Sequence, residues 1–231
     1  MRAAATILAM LLTSLAGQVS FAQTPRNPVP NSSTAAAAAG NYYSTSFPGT
    51  ENPISESGKW TNGKSTGVDW NNVQTVPGKA YGAVVVSGYD DDMAVLNTAF
   101  PANQYAQATV YRVPGYSPGV SHEVELLLHF KITPNFARGY EVLWGVSGYL
   151  AVVRWNGPLG NYKPLLENVS PGIGVPVDGD VLRAEIVNNA IRVYKNGALV
   201  AIAPPDPTWT DGQPGVGFWP KTGATPQNLG W

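Results

Sequence analysis

From about residue 81 to the C-terminus, apolar and polar side chains alternate in short runs separated by Gly, Pro, Asn and Asp. A period of two sends successive side chains to opposite faces, so each run predicts a half-buried strand. The runs fall at residues 81–86, 104–111, 122–130, 139–144, 149–155 and 180–187. The clearest stretch is GDVLRAEIVNNAIRVYKNGALVAIA at 179–203, where Leu182, Ala184 and Ile186 face one way and Arg183 and Glu185 the other. Asn188-Asn189 and Asn196-Gly197 read as two-residue turns, because these residues tolerate the positive φ such turns require. A three-stranded antiparallel meander follows. No helical period separates the strands, which predicts an all-β sandwich or barrel.

The first 41 residues lack this alternation. Arg2, an apolar run from Ala3 to Ala16, and Ser20-Phe21-Ala22 before Gln23 have the form of a signal peptide over 1–22, cut after Ala22. The apolar run is shorter than the roughly 20 residues that span a bilayer, so export is expected rather than anchoring. Residues 23–41 are rich in Pro, Asn, Ser, Thr and Ala, with five alanines at 35–39, and read as a flexible linker. The folded domain is expected over 42–231. Its expected location is secreted, periplasmic or at the cell surface of a bacterium, since an exported chain without disulfides must be held by its core.

Composition narrows the chemistry. Against 15 acidic side chains stand only 14 basic ones, a net charge of −1, which argues against nucleic acid as a partner. The absence of Cys removes thiolate metal sites, disulfides and cysteine nucleophiles. With 25 Gly and 20 Pro among 231 residues, turns are frequent, and 7 Trp and 11 Tyr supply core material.

Four segments then acquire a meaning together: VYKNG at 193–197, GYEVLWG at 139–145, YLAVVRWNG at 149–157 and GQPGVGFW at 212–219. In order and spacing they resemble the concanavalin A-like lectin/glucanase superfamily in its laminin-G-like or pentraxin-like form. The resemblance covers the chain from about Tyr43 and implies a jelly-roll, two curved antiparallel β-sheets whose concave sheet commonly forms a glycan groove. Lectins, hydrolases, lyases and adhesion modules share such folds. Relatives usually close with a strand beside the N-terminal one, whereas this chain stops at Trp231, so a short last strand is expected.

Candidate chemistry lies on three strands and one acidic run. In HEVELLLHF at 122–130, alternation puts Glu123, Glu125, Leu127 and His129 on one face. Paired carboxyls about 5 Å apart suit a retaining glycosidase. Laminarinase-like relatives use Glu-x-Asp-x-Glu, and Val124 and Leu127 break that spacing, so Glu123, Glu125 and His129 are weak catalytic candidates. Both glutamates are expected to be solvated, because Glu is seldom buried without a partner. A lyase would need a base and a carboxylate neutraliser, types that His129, Tyr140, Arg154 and Arg183 can supply. The Gln-x-His strand of alginate-lyase-like relatives is absent.

Glycan binding has better material, since sugar C–H faces stack on rings while hydroxyls pair with amides and charged groups. The candidates are Tyr140, Glu141, Trp144, Arg154, Trp155, Asn156, Tyr162 and Arg183, with Trp144 and Trp155 equally suited to the inter-sheet core. Trp60, Trp70, Trp209 and Trp219 suit loop anchors. Members of the superfamily often hold a structural calcium, to which at most two of Asp90, Asp91 and Asp92 can contribute; the alternative is a solvated turn. No other cofactor is expected. The leading expectation is a secreted carbohydrate-binding or adhesion module recognising polysaccharide. A polysaccharide-active lyase or glycoside hydrolase, or a cell-envelope protein-interaction module, are the alternatives.

Overall fold

The computed structural model describes residues 19–22, 41–64, 70–83, 91–134, 136–158, 160–167 and 173–231. Its strands are β1 (Val19–Ala22), β2 (Tyr42–Thr45), β3 (Trp60–Asn62), β4 (Gln74–Val76), β5 (Lys79–Tyr81) and β6 (Asp92–Leu96). Next come β7 (Gln104–Thr109), β8 (Tyr111–Arg112), β9 (Glu123–Thr133), β10 (Phe136–Gly145), β11 (Leu150–Gly157) and β12 (Tyr162–Leu166). The C-terminal part adds β13 (Val181–Val187), β14 (Ala190–Lys195), β15 (Ala198–Ala203), β16 (Gln213–Phe218) and β17 (Leu229–Gly230). Five of the six runs expected from alternation coincide with strands; of the run at 81–86 only Tyr81 does, at the end of β5, since Gly82 and Ala83 lie in no strand and residues 84–86 lie outside the described residues.

Two antiparallel sheets form the sandwich. One is six-stranded in the order β15-β14-β13-β7-β1-β2, the other seven-stranded in the order β12-β11-β10-β9-β16-β6-β3. The expected meander is β13-β14-β15, and Asn188, Asn189 and Asn196 hold the positive φ its turns demand. Between the sheets lies one apolar layer: Leu182, Ala184 and Ile186 of β13 and Ala106 and Ala108 of β7 meet Val124, Leu126, Leu128, Val142, Val152 and Trp144 of the larger sheet. A second apolar layer, with Trp70, Leu127, Phe130, Leu143, Val153 and Trp155, covers the opposite face of the seven-stranded sheet. That outer layer gives side chains which alternation alone would send to water a second place to be buried.

The first described strand and the C-terminal residues both enter the fold. Val19 is buried in the inter-sheet layer, and β1 pairs with β2 on one side and β7 on the other. The four residues before the expected cut, Val19–Ala22, therefore form an interior strand, while residues 1–18 and, of the expected linker at 23–41, residues 23–40 lie outside the described residues. At the other end, two-residue β17 pairs with β8. Trp231 is fully buried, its backbone N–H donating to the Ala80 carbonyl at 3.0 Å and its Nε1 to the Glu125 carbonyl at 3.1 Å.

A bulge interrupts β9. His129 has φ 48°, and the β9–β10 register shifts between Arg138 and Tyr140. Two glycines make room: a Cβ on Gly139 would lie 2.6 Å from the Phe130 Cα, and one on Gly212 would lie 2.3 Å from the His129 carbonyl carbon. The extra residue resets alternation, so Leu128 packs inward and Phe130 joins the outer layer.

Candidate functional site

The site grows from strand register on the outer face of the seven-stranded sheet. Glu123 and Glu125 of β9 stand opposite Gly145 and Leu143 of β10, and Glu141 stands opposite Leu127, which places it diagonal to Glu125. On the other side of β9, Gly217 of β16 is paired with both Glu125 and Met93 of β6, bringing in Asp91 just before β6. Gly217 is required for space: a Cβ there would fall 2.2 Å from Glu125 Oε2. Ligand atoms of Asp91, Glu125 and Glu141 all lie within 4.8 Å of one another, and all three residues are buried.

Rings wall this acidic floor. Trp155 of β11 is paired with Tyr162 of β12, their centroids 5.2 Å apart, and packs against Trp70 at 4.7 Å. Its Nε1 donates to Glu141 Oε2 at 2.5 Å. Together Asp91, Glu123, Glu141, Leu143, Tyr149, Val153, Trp155, Tyr162, Glu167 and Trp219 line a cavity of about 140 Å³. Glu125 lies beneath it, 0% exposed, and neither carboxylate oxygen has a hydrogen-bond partner among the described residues.

Burial dominates the electrostatics. It pushes the Glu123 carboxyl up to about 8, with the Glu141 charge adding and Lys221 opposing. Glu141 is pushed up to about 7 by burial, against the stabilising Trp155 N–H. Glu125 is held well above the usual carboxylate range by burial and then by Glu141, Asp91, Glu123 and Asp92. An acid raised in this way is protonated near neutrality and can donate a proton or a hydrogen bond.

Several expectations are corrected by the geometry. Glu123 and Glu125 are not solvated: Glu123 is half-buried and Glu125 completely buried, because the outer apolar layer covers their face. His129 does not share that face. The bulge turns its ring to the carbonyls of Ala102 and Trp209, at 2.7 and 2.8 Å, and burial lowers its pKa. Tyr140 and Trp144 are sealed between the sheets, each 0% exposed, which removes them from any groove. The Tyr140 hydroxyl donates to the Asp206 carbonyl at 2.7 Å, and Trp144 Nε1 donates to the Gly174 carbonyl at 2.8 Å.

Arg154 is an ion-pair partner of Asp206 at 2.6 Å and bonds Asn156 Oδ1, so both residues are engaged away from the cavity. Arg183 lies on the six-stranded sheet with Glu185, Tyr105 and Tyr194. Of the four residues considered for a lyase, His129, Tyr140 and Arg154 gather near Asp206, with the His129 and Tyr140 rings 6.1 Å apart, but Tyr140 is sealed in the core, none of the three lines the cavity, and Arg183 lies on the other sheet. Glu141, Trp155 and Tyr162 do line the cavity. Of the acidic run, Asp91 joins it, Asp92 is buried and accepts from the Ala83 N–H at 2.8 Å, and Asp90 lies outside the described residues.

Sequence reasoning missed Tyr149, Glu167 and Trp219 as cavity residues and Asp91 as a neighbour of the glutamates. Tyr149 was within reach, since it shares parity with Trp155 along the same run. The approach of Asp91 to Glu125 depends on the β9-β16-β6 order, which alternation does not contain.

An antiparallel two-sheet sandwich of this kind has a concanavalin A-like fold. No protein-family model matches the sequence, and no curated protein matches it. Solved structures do match. The carbohydrate-binding module CBM66 from Bacillus subtilis aligns with TM-score 0.52 and 15% identity over 76% of this chain and 96% of that one. A Bacillus licheniformis β-glucanase aligns at 0.46 and 12% over 78% and 93%, and the Emp46p carbohydrate recognition domain at 0.42 and 10% over 75% and 86%. At these identities the likeness is one of fold. Among the described residues, no helix is long and apolar enough to cross a membrane.

Proposed function

We propose that the chain is an exported glycan-binding protein whose ligand enters the cavity on the outer face of the seven-stranded sheet. One observation carries this reading: the cavity joins the rings of Trp155, Tyr162, Tyr149 and Trp219 to the carboxyls of Glu123 and Glu141. Rings stack on sugar C–H faces and carboxyls take hydroxyl hydrogen bonds, so both halves of a sugar-recognition site share one concavity. At about 140 Å³ the cavity is smaller than the roughly 300–1,000 Å³ of typical small-molecule sites, which fits insertion of a single sugar unit. The fold likeness to a carbohydrate-binding module agrees with this reading. Affinity electrophoresis against plant, algal and bacterial polysaccharides tests it. Retardation by at least one polymer, lost in Trp155→Ala, is expected; no retardation by any would favour a protein partner instead.

Glycoside hydrolysis is the second reading, and the raised acids favour it. Glu123 and Glu141, pushed up to about 8 and about 7, line the same cavity, and a general acid must be protonated at working pH. Release of new reducing ends, abolished by Glu123→Gln, would establish this reading over simple binding.

A further inference from the structure

We propose that Asp91, Glu125 and Glu141 form a binding site for a divalent, oxygen-seeking cation of calcium size beneath the ring-lined cavity. Three carboxylates, from β9, from β10 and from the residue just before β6, have ligand atoms within 4.8 Å of one another. Oxygens around calcium stand about 2.3–2.6 Å from the ion, so two ligands on opposite sides are separated by about twice that distance, roughly 5 Å. The mutual distances are of the size one coordination sphere requires.

A cluster of acids alone would not define a site; the state of Glu125 does. Its carboxylate is completely buried, points into the cluster, and has no hydrogen-bond partner on either oxygen among the described residues. A buried carboxyl left without a partner costs free energy unless a cation or donor meets it. The strand neighbours of Glu125 offer no polar side chain: the residue beside it on β16 is Gly217, whose missing side chain leaves the carboxylate its space, and the one on β10 is Leu143. Lys221 acts on Glu123 and is not among the groups acting on Glu125 or Glu141. A dication offsets most of the triad's charge. Asp91 and Glu141 also line the cavity, so water can reach the ion and complete the six to eight oxygens that calcium takes.

The placement differs from the turn-like site considered for Asp90 to Asp92, since two of the three ligands come from β9 and β10. It stands whether or not a glycan enters the cavity. A cation there would hold Glu141 ionised and leave Glu123 as the protonated acid of the cavity.

The test uses the purified full chain, stripped with EDTA, with melting followed while calcium chloride or magnesium chloride is added to roughly 5 mM, above the 10⁻⁴–10⁻³ M range of extracellular calcium sites. The expected result is a saturable rise in melting temperature of at least about 3 °C with calcium. Asp91→Asn and Glu125→Gln should lose the rise, whereas Asp211→Asn, at an exposed ion pair with Lys131 and Arg138, should keep it. Terbium provides a measurement that does not depend on any variant folding: its emission, sensitised by Trp155 one hydrogen bond from Glu141, should appear in the wild-type chain and be displaced by calcium. No rise and no displaceable terbium signal would overturn the proposal. So would a rise with magnesium alone, or one that survives Glu125→Gln.

Discussion

The two faces of β9 treat polar side chains in opposite ways. Toward the six-stranded sheet, His122 sits among Val124, Leu126 and Leu128 with Nδ1 2.9 Å from the Tyr116 hydroxyl. That hydroxyl also accepts from the Thr225 N–H at 2.9 Å. Polar atoms of neighbouring inward residues also end on protein: the Trp144 indole on Gly174 and the Tyr140 hydroxyl on Asp206. On the outer face, Glu125 is equally buried with both oxygens unpartnered, and Glu123 and Glu141 are raised acids in a cavity. Burial is common to the two faces, but the inward residues leave one ring nitrogen open, His122 Nε2, whereas Glu125 on the outer face leaves both carboxylate oxygens open among the described residues. The inward face is built for stability, and the outward face keeps binding capacity at a stability cost.

The largest effect expected from this contrast is on the inward face. Trp144→Ala removes a ring that is 0% exposed and lies under Lys195 Nζ at 4.7 Å. A loss of about 3–5 kcal/mol is expected, read by denaturant unfolding. Polysaccharide retardation of the folded fraction should be unchanged, because this ring reaches no surface; selective loss of retardation without loss of stability would break the contrast.

Next comes a pH effect. Burial, with Arg112 adding, depresses His122 from 6.5 to about 4. Below pH 6.5 the unfolded chain takes up a proton that the folded ring refuses, so this contribution is intact above 6.5 and declines until about pH 4. The full loss amounts to about 3 kcal/mol. Raised acids act in the opposite direction over a higher range, so the clean measurement is the difference in unfolding free energy between wild type and His122→Gln across pH 4–7. A difference that does not vary with pH would mean the ring is not kept neutral.

How much of this was legible beforehand follows the same division. The strands and the two Asn-rich turns were readable because alternation and positive-φ residues act locally, as at Leu182, Ala184 and Ile186 or at Asn196-Gly197. Parity also separated Trp155 from Arg154 and Glu141 from Tyr140 correctly. It did not say which parity met the other sheet, and so Tyr140 and Trp144 stood as groove candidates although they fill the core. Nor did it show the outer apolar layer, built from Trp70 and Phe130 among others, which buries Glu125. The general scarcity of buried glutamate pointed to solvation, but that rule concerns single residues and is overridden where neighbouring strands supply a shared site. His129 was misplaced by one bulged residue, whose cause, the close approach of Gly139 and Gly212, is tertiary.

On the outer face, Glu125→Gln should act in the direction opposite to a usual core substitution. With EDTA present at pH 7, removing the ionisable group is expected to stabilise the fold by about 1–2 kcal/mol, since a buried acid without a partner is a cost. Unfolding in urea with and without calcium checks it. Destabilisation in EDTA would indicate that the carboxyl already serves the packing, and would draw the two faces closer together.

The smallest effect separates ring from hydrogen bond within the outward face. Trp155→Phe keeps an aromatic plane beside Tyr162 and Trp70 but deletes the Nε1–H that bonds Glu141 Oε2. If stacking dominates recognition, affinity for the retarded polysaccharide should fall by less than about threefold, whereas an oriented carboxyl would make the loss about tenfold, near the value of one hydrogen bond to a charged group. Because the indole N–H lowers the Glu141 pKa, its removal should raise that pKa further. Carboxyl titration by NMR in the metal-free chain would show this shift whether or not binding changes. A Glu141 resonance that titrates unchanged in Trp155→Phe would mean that the indole supplies surface alone, and that the acid is oriented by Asp91 and Glu125 rather than by the ring.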